Sequence, residues 1–171
     1  MNIECTKKLA DVMKIKLNTY EEGNAKAFFE WHANLFMFDR RKGVILMNNK
    51  TRYCIVLYGL KAQHFKKFDV IILSAIRETF IAEGFSLEVV EKYITDCGEV
   101  HYTKTHDRSI LSQINDFHIS ISWQIEDYLP SEELNLVELN KWVGSSLMCG
   151  TLGYANPIKL LKQEMRGEYN A

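Results

Sequence analysis

The sequence predicts an α+β fold, in which an antiparallel sheet of about four to five strands is packed by about five helices. Three observations support this prediction. Short apolar segments separated by turn residues follow one another over residues 31–58, which is typical of a meander at the centre of a sheet. Apolar residues recur every three or four positions over residues 61–83 and 107–128, which is typical of amphipathic helices. The length of 171 residues indicates a single domain over residues 1–171.

The elements before the meander are short. Residues 2–6 alternate in polarity and are predicted to form a first strand. Residues 6–15 carry apolar side chains at helical spacing behind Thr6, which can cap a helix. Residues 18–27 are polar and are predicted to form a loop.

The meander is predicted to contain three strands, at residues 31–39, 44–47 and 51–58. Residues 41–43 and 48–50 separate them and have the composition of tight turns. Apolar side chains occupy both sets of alternate positions in these strands, whereas a sheet with one solvated face alternates cleanly. Both faces of the sheet therefore need cover, from helices or from a second copy of the chain, and homo-oligomerisation is predicted as one way to provide it.

Beyond the meander, helices are predicted to alternate with one further strand. A long helix over residues 61–83 is expected to end at Gly84 in a left-handed conformation. Ser86 is placed to cap the next helix. Residues 99–105 are predicted to form a strand near an edge of the sheet.

The last third of the chain is predicted to be mainly helical. The helix over residues 107–128 contains β-branched residues at 119–121, which also favour a strand. Ser131 is expected to cap a further helix, which ends before a loop at residues 144–153. The Asn-Pro pair at residues 156–157 then predicts the start of the last helix.

Composition excludes several classes of protein. The net charge of −1 argues against a basic surface for duplex DNA. No segment approaches the ~20 apolar residues of a membrane helix, and the first residues do not have the pattern of a secretory leader, so no membrane partner is predicted. Four cysteines lie far apart, at Cys5, Cys54, Cys97 and Cys149. This spacing indicates reduced thiols in a cytoplasmic protein rather than a zinc site.

The first candidate site is the junction between the strand at residues 99–105 and the helix that follows it. Its candidate ligand-binding residues are Thr103, Lys104, Thr105, Arg108 and Ser109. Free backbone N–H groups at a helix start attract anions, so the two cations and the hydroxyls can bind a phosphate or carboxylate there. The alternative is structural: Asp107 or Thr105 caps the helix, and an Asp107 cap would occupy the N–H groups that an anion needs.

The second candidate site combines the two ends of the first meander strand. Its candidate residues are Trp31, His32, Asn34, Arg40, Arg41 and Lys42. An aromatic platform with a basic rim is typical of single-stranded nucleic-acid binders. Nine residues of strand span about 30 Å, so only an extended polymer would contact both ends. The alternative is that Trp31 belongs to the core and the basic residues to a solvated turn.

The five histidines show neither an H-E-x-x-H motif nor a helical i, i+4 pair, so neither a metal ion nor a cofactor is predicted. Phosphate-loop, dinucleotide and nucleophile-elbow motifs are also absent from the sequence. Two functions remain open. The first is a non-enzymatic module that binds an anionic ligand, nucleic acid or a protein partner. The second is a small enzyme for a phosphorylated or nucleotide substrate, with His32, His101 or His106 as general acid or base.

Several short motifs are spread over almost the whole chain. They are Cys5-Thr-Lys-Lys8, Trp31-His-Ala-Asn-Leu35, Asp39-Arg-Arg-Lys42, Asn49-Lys-Thr51, Gly59-Leu-Lys61, Ala82-Glu-Gly84, Tyr102-Thr-Lys-Thr105, Arg108-Ser109, Asn115-Asp116, and Leu152-Gly-Tyr154 before Pro157. By these motifs the chain resembles an uncharacterised bacterial domain family of unknown function. The resemblance implies a bacterial or phage origin and an α+β fold, and it carries over no catalytic residue or ligand. Both candidate sites coincide with these motifs.

Overall fold

A computed structural model describes residues 1–21, 26–127, 134–146 and 155–170 of the chain. The described residues form a five-stranded sheet, seven α-helices and a short 3-10 helix at Ala27–Phe29. The strands are β1 (Asn2–Cys5), β2 (Glu30–Phe38), β3 (Arg41–Asn48), β4 (Cys54–Leu60) and β5 (His101–Lys104). The helices are α1 (Lys7–Met13), α2 (Ala62–Phe65), α3 (Phe68–Ala82), α4 (Leu87–Cys97), α5 (Arg108–Asp127), α6 (Leu136–Ser146) and α7 (Pro157–Tyr169). Within the described ranges, no helix has both the length and the apolar character needed to cross a bilayer.

The sheet has the strand order β4-β3-β2-β1-β5. The predicted meander is confirmed, because β2, β3 and β4 are antiparallel neighbours, although it forms one side of the sheet rather than its centre. The prediction of a purely antiparallel sheet is wrong. β1 lies parallel to both β2 and β5, so the fold is α+β with a mixed sheet. Parallel neighbours need a crossover connection, and α1 lies in the segment that returns the chain from the end of β1 to the start of β2.

Each face of the sheet is covered by helices of the same chain. One face, the α3 face, packs against a buried stripe on α3 that consists of Phe68, Ile72, Ile76 and Phe80. The opposite face, the α5 face, packs against a buried stripe on α5 that consists of Ile110, Ile114, Phe117, Ile121 and Ile125. The two apolar faces thus find cover within one chain. Homo-oligomerisation stays a prediction.

Two helices differ from their predicted extents. The helix predicted over residues 61–83 is two helices, because α2 ends at Phe65 and α3 begins at Phe68. The segment at residues 119–121 is helical and not a strand. Burial of Ile121 against the sheet decides this, since packing commonly outweighs the intrinsic preference of a β-branched residue.

The described part of the next helix, α6, begins at Leu136. The predicted cap, Ser131, lies outside the described residues. Asn135 caps it, because its side-chain Oδ1 accepts a hydrogen bond from the backbone N–H of Val137 at 3.0 Å. The helix extends to Ser146, past the predicted start of the loop at residues 144–153, whose remainder is not described.

The predicted helix ends are confirmed at three positions and wrong at a fourth. Gly84 follows α3 with a φ of +95°. Ser86 and Asn156 accept hydrogen bonds from backbone N–H groups of α4 and α7, at 3.3 Å and 3.1 Å. Thr6 makes no capping bond to α1; its hydroxyl donates to the side-chain oxygen of Asn34 at 3.1 Å.

The first hairpin turn lies two residues before the predicted turn at residues 41–43. Asp39 and Arg40 form it, with φ values of 42° and 58°. Both values are positive, as two-residue hairpin loops of type I′ require. Gly43 lies inside β3, where a Cβ atom would come 2.2 Å from the ring of Phe36. This glycine is therefore needed for a close approach between strand and ring, not for the turn.

Candidate functional site

A row of polar side chains lies on the α5 face where it crosses β1, β2 and β5. Glu4 of β1 is paired in register with His32 of β2 and with Thr103 of β5, and paired residues point to the same face. His32 is paired on its other side with Met47, which belongs to the apolar core under α5. The polar row therefore continues the α5 face beyond the core that α5 covers.

Glu4, His32, Asn49 and His106 are connected within this row and form the Glu4 cluster. The side chains of Glu4 and His32 have no exposed surface, whereas that of His106 is 42% exposed. One oxygen of Glu4, Oε2, lies 2.6 Å from His106 Nδ1 and 3.2 Å from His32 Nε2. The backbone N–H of His106 also donates to Oε2, at 3.1 Å. A buried carboxylate needs such partners, because removal of a charge from water is costly.

Asn49 fixes the orientation of the buried histidine. Its side-chain N–H donates to Glu4 Oε1 at 2.8 Å, and its Oδ1 lies 2.8 Å from His32 Nδ1. Since the amide nitrogen faces the carboxylate, the amide oxygen accepts the proton of His32 Nδ1. Burial lowers the pKa of His32, although the Glu4 carboxylate acts in the opposite direction. In the tautomer that Asn49 selects, the lone pair of the ring lies on Nε2, on the side of Glu4.

Arg52 and Tyr20 hold the outer parts of the Glu4 cluster. Arg52 Nη1 donates to the backbone oxygen of Asn49 at 2.6 Å, and its Nη2 lies 3.8 Å from Asp107 Oδ2. This arginine ties the turn that carries Asn49 to the loop that carries His106. The ring of Tyr20 stacks on the ring of His106, with a centroid distance of 3.8 Å. His106 is thus held by the stacked ring of Tyr20 and, through its neighbour Asp107, by Arg52.

An acidic cleft of about 720 Å³ lies along the same polar row. Its lining includes Thr103, the register partner of Glu4, and four carboxylates at Glu21, Glu30, Asp96 and Glu99. None of the described residues lining it is a lysine or an arginine, and the N-terminal ammonium of Met1, which also lines it, is outnumbered by the four carboxylates. Burial and, secondly, the charge of Glu4 raise the pKa of Glu30. This cleft is unsuited to an anion, because its charges would repel one.

A second cavity, the lysine pocket, lies at the carboxyl ends of β1 and β5 and has a volume of about 560 Å³. Lys104 is paired in register with Cys5, so both point away from the Glu4 cluster, which is on the opposite face. The charged residues of its lining are Lys7, Lys16, Lys104 and Asp11. Thr105 also lines it. Three positive charges against one negative charge make this cavity basic.

The first predicted site is divided by the structure. Lys104 and Thr105 line the lysine pocket, whereas Thr103 faces the acidic cleft. Arg108 and Ser109 are exposed and do not belong to the pocket lining. Asp107 caps α5, because its Oδ1 accepts from the backbone N–H of Ser109 at 2.7 Å and of Ile110 at 3.4 Å. The N–H groups at this helix start are therefore occupied, as the structural alternative anticipated.

The second predicted site is not brought together. Trp31 has no exposed surface, and its indole N–H donates to Tyr93 at 3.1 Å on the α3 face, so it offers no stacking platform. Asn34 donates to the side chain of Asn115 on α5 at 3.2 Å. The basic residues Arg40, Arg41 and Lys42 line a separate cavity of about 400 Å³ at the far end of β2.

Of the three histidines proposed as acid–base groups, His32 and His106 meet, with ring centroids 5.7 Å apart. His101 lines the acidic cleft instead. Glu4 and Asn49 were not predicted as site residues from the sequence. The signal for Glu4 was a charged residue between Ile3 and Cys5 in a predicted strand, but its partners lie far along the chain. No spacing pattern links Glu4 to His106.

Comparison with known proteins identifies a domain family and no function. A family described as a domain of unknown function, DUF6933, matches residues 2–160. The chain therefore belongs to this family, which confirms the predicted membership of an uncharacterised domain family. No curated protein matches the chain.

Proposed function

We propose that this protein is a non-enzymatic binding module for a small anionic ligand, a molecule bearing phosphate or carboxylate groups, in the lysine pocket. The observation that carries the proposal is the convergence of Lys7, Lys16 and Lys104 on one cavity. Within the described part of the chain, none of these lysines forms an ion pair. Their positive charges are thus available to a ligand, because no ion pair with a neighbouring acid neutralises them.

The size and polarity of the pocket support a small ligand. A volume of about 560 Å³ falls in the range of small-molecule sites. Apolar contact is available from Ala10, Ile15 and Leu17, while the lysines and the Thr105 hydroxyl supply hydrogen-bond donors. A long nucleic acid is less well matched, because the other basic group, at residues 40–42, lies at the far end of β2 and lines a different cavity.

The binding function is favoured over the enzyme alternative by the position of the histidines. The described lining of the lysine pocket contains no histidine. His106 follows Thr105 directly, but it turns to Glu4 on the α5 face, away from the pocket. A general acid or base must lie within hydrogen-bond reach of the reacting group.

Titration calorimetry with inorganic phosphate, pyrophosphate, ADP, citrate and a single-stranded oligonucleotide tests the proposal. We expect one of the four small anions to bind with 1:1 stoichiometry and to bind more weakly as salt is added. Lys104→Ala and Lys16→Ala should each weaken binding about tenfold, since each removes a charge-assisted hydrogen bond. Arg108→Ala and Lys66→Ala are the controls; both remove an exposed cation outside the pocket.

Three outcomes contradict the proposal. If Lys104→Ala binds every anion as well as the unchanged protein, the pocket is not the site. If only the oligonucleotide binds, a nucleic-acid partner replaces the small ligand. If a bound nucleotide is converted to product, the protein is an enzyme.

We also propose that the protein acts in the cytoplasm. The support is the state of Cys5 and Cys97, which are free and buried. Burial raises the pKa of Cys5 and Cys97 to about 12, so both remain thiols at neutral pH. Free buried thiols are usual in a reducing compartment. Cys149 lies outside the described residues.

A further inference from the structure

We propose that Glu4, His32 and His106 bind a divalent transition-metal ion, although the spacing of the histidines in the sequence predicts none. The ion would be held on the α5 face by Glu4 Oε2, His32 Nε2 and His106 Nδ1. This site is independent of the lysine pocket, which lies on the opposite side of β1.

The three donor atoms already converge. All lie within 4.8 Å of one another, with Glu4 Oε2 3.2 Å from His32 Nε2 and 2.6 Å from His106 Nδ1. Zinc–nitrogen and zinc–oxygen bonds of about 2.0–2.2 Å at a tetrahedral angle place two donors roughly 3.4 Å apart. The Glu4–His32 pair therefore has the required spacing. His106 must withdraw by about 1 Å, which a 42% exposed side chain on a loop can do.

The unpartnered nitrogen of His32 is the observation that points to an ion. Although 3.2 Å separates His32 Nε2 from Glu4 Oε2, the two atoms do not align as a hydrogen bond, and this buried nitrogen has no hydrogen-bond partner among the described residues. Asn49 binds the proton on His32 Nδ1, so in this tautomer the lone pair lies on Nε2, close to the carboxylate oxygen but not directed along the line to it. Two buried acceptor atoms this close repel each other, and a cation that both lone pairs can reach removes the repulsion.

A purely structural network accounts for only part of this arrangement. Asn49 satisfies Glu4 Oε1, and the backbone and ring of His106 satisfy Glu4 Oε2. That network leaves Nε2 of the fully buried His32 imidazole without a hydrogen-bond partner among the described residues. Buried polar atoms are nearly always paired, so each exception calls for an explanation.

The donor set selects the class of metal. Two imidazole nitrogens and one carboxylate oxygen suit Zn²⁺, Co²⁺, Fe²⁺ or Mn²⁺, whereas Mg²⁺ and Ca²⁺ prefer oxygen donors alone. Cys5 follows Glu4 but points to the other face of β1, so no thiolate joins the set. Three protein ligands leave one position of a four-coordinate ion open for water or a further ligand.

The residues around the three donor side chains orient them and anchor them in place. Asn49 accepts the second ring proton of His32, and metal-binding histidines generally make such a bond, which sets their tautomer. Arg52 anchors the backbone of Asn49 and contacts Asp107, next to His106. These contacts would limit how far the donors can separate.

Metal titration of the full chain, purified without a histidine tag and stripped with a chelator, tests the proposal. We expect Zn²⁺ to bind 1:1 in calorimetry, and Co²⁺ to give the visible absorption of a site with nitrogen and oxygen donors. Glu4→Gln and His106→Gln should each weaken Zn²⁺ binding at least tenfold and abolish the Co²⁺ bands. His101→Gln, which removes an exposed histidine near the cluster, is the matched control and should bind as the unchanged protein does.

Circular dichroism of each variant separates loss of the site from loss of the fold. Because His106 is partly exposed, His106→Gln is expected to stay folded even if Glu4→Gln does not. The proposal is wrong if the folded, unchanged protein binds no Zn²⁺ at millimolar concentration. It is also wrong if folded His106→Gln retains both the affinity and the Co²⁺ bands. Lys104→Ala should leave metal binding unchanged. The proposals of a metal site and of an anion pocket are therefore tested independently.

Discussion

Glu4 is a carboxylate without exposed surface in the third position of a four-residue strand. Its surroundings are polar only because side chains from three distant segments meet there: His32, Asn49 and His106. The sequence identified His32 and His106 as chemically useful, because histidine is the side chain that titrates near neutral pH. It could not identify their partner, since pairing depends on the insertion of β1 between β2 and β5.

The same limit applies to Lys104 and Trp31. Lys104 was predicted to bind an anion with Arg108, and it lines a basic pocket with Lys7 and Lys16 instead. Local sequence placed Lys104 correctly at the end of a strand but could not show which lysines approach it from elsewhere. Trp31 had two interpretations, and its burial against Tyr93 supports the core residue.

The burial of a single residue, His118, can be tested through the pH dependence of stability. It lies on α5 against Phe36, with ring centroids 4.9 Å apart, and burial lowers its pKa below the usual 6.5. The unfolded chain therefore takes up a proton at a higher pH than the folded chain does. Stability is present above pH 6.5 and should fall as the pH drops from about 7 through 6.5 toward the lower folded-state pKa. Burial also lowers the pKa of His32, so this residue too makes the folded protein less stable as the pH falls.

Urea unfolding between pH 5.5 and 7.5 checks this expectation for His118→Gln against the unchanged protein. The variant should show a smaller loss of unfolding free energy on acidification, with the His32 contribution remaining. Equal pH slopes for the two proteins would show that His118 is not buried as a neutral ring.

At the scale of elements, periodicity predicted most helices and strands because burial on one stripe is a local property of sequence. It was less reliable at turns. The segment at residues 41–43 has the composition of a turn, but the hairpin turn is made by Asp39 and Arg40. Gly43 is required by a contact across the sheet, with the ring of Phe36 and the backbone oxygen of Leu57. Such contacts cannot be read from neighbouring residues.

Gly43→Ala should therefore destabilise the protein. The added Cβ would lie 2.2 Å from Phe36 Cζ and 2.8 Å from the Leu57 oxygen, so the ring and the strand must shift. Overpacking of this kind costs about 1–3 kcal/mol. Gly167→Ala is the matched control: Gly167 lies in α7 with no neighbouring atom within 4 Å of its added Cβ, and the change should stabilise by roughly 0.5–1 kcal/mol. Urea unfolding measures both, and equal effects would contradict the packing argument.

At the scale of the whole molecule, the sequence predicted the α+β class and the need to cover both faces of the sheet. It missed the mixed character of the sheet, since strand direction depends on the crossovers of the chain rather than on side-chain pattern. That direction has functional consequences. The parallel strands β1 and β5 end together, which brings Lys104 near Lys7 and Lys16 at one face and sets Glu4 beside His32 on the other.

A crystal structure of the protein grown with Zn²⁺, with anomalous differences collected on both sides of the zinc absorption edge, tests the metal site most directly. The site exists only if three parts of the fold converge, so this measurement also tests the assembly of the sheet. We expect one strong anomalous peak about 2.0–2.2 Å from Glu4 Oε2, His32 Nε2 and His106 Nδ1. A map with no peak between these atoms, or with zinc bound only elsewhere on the surface, would contradict it.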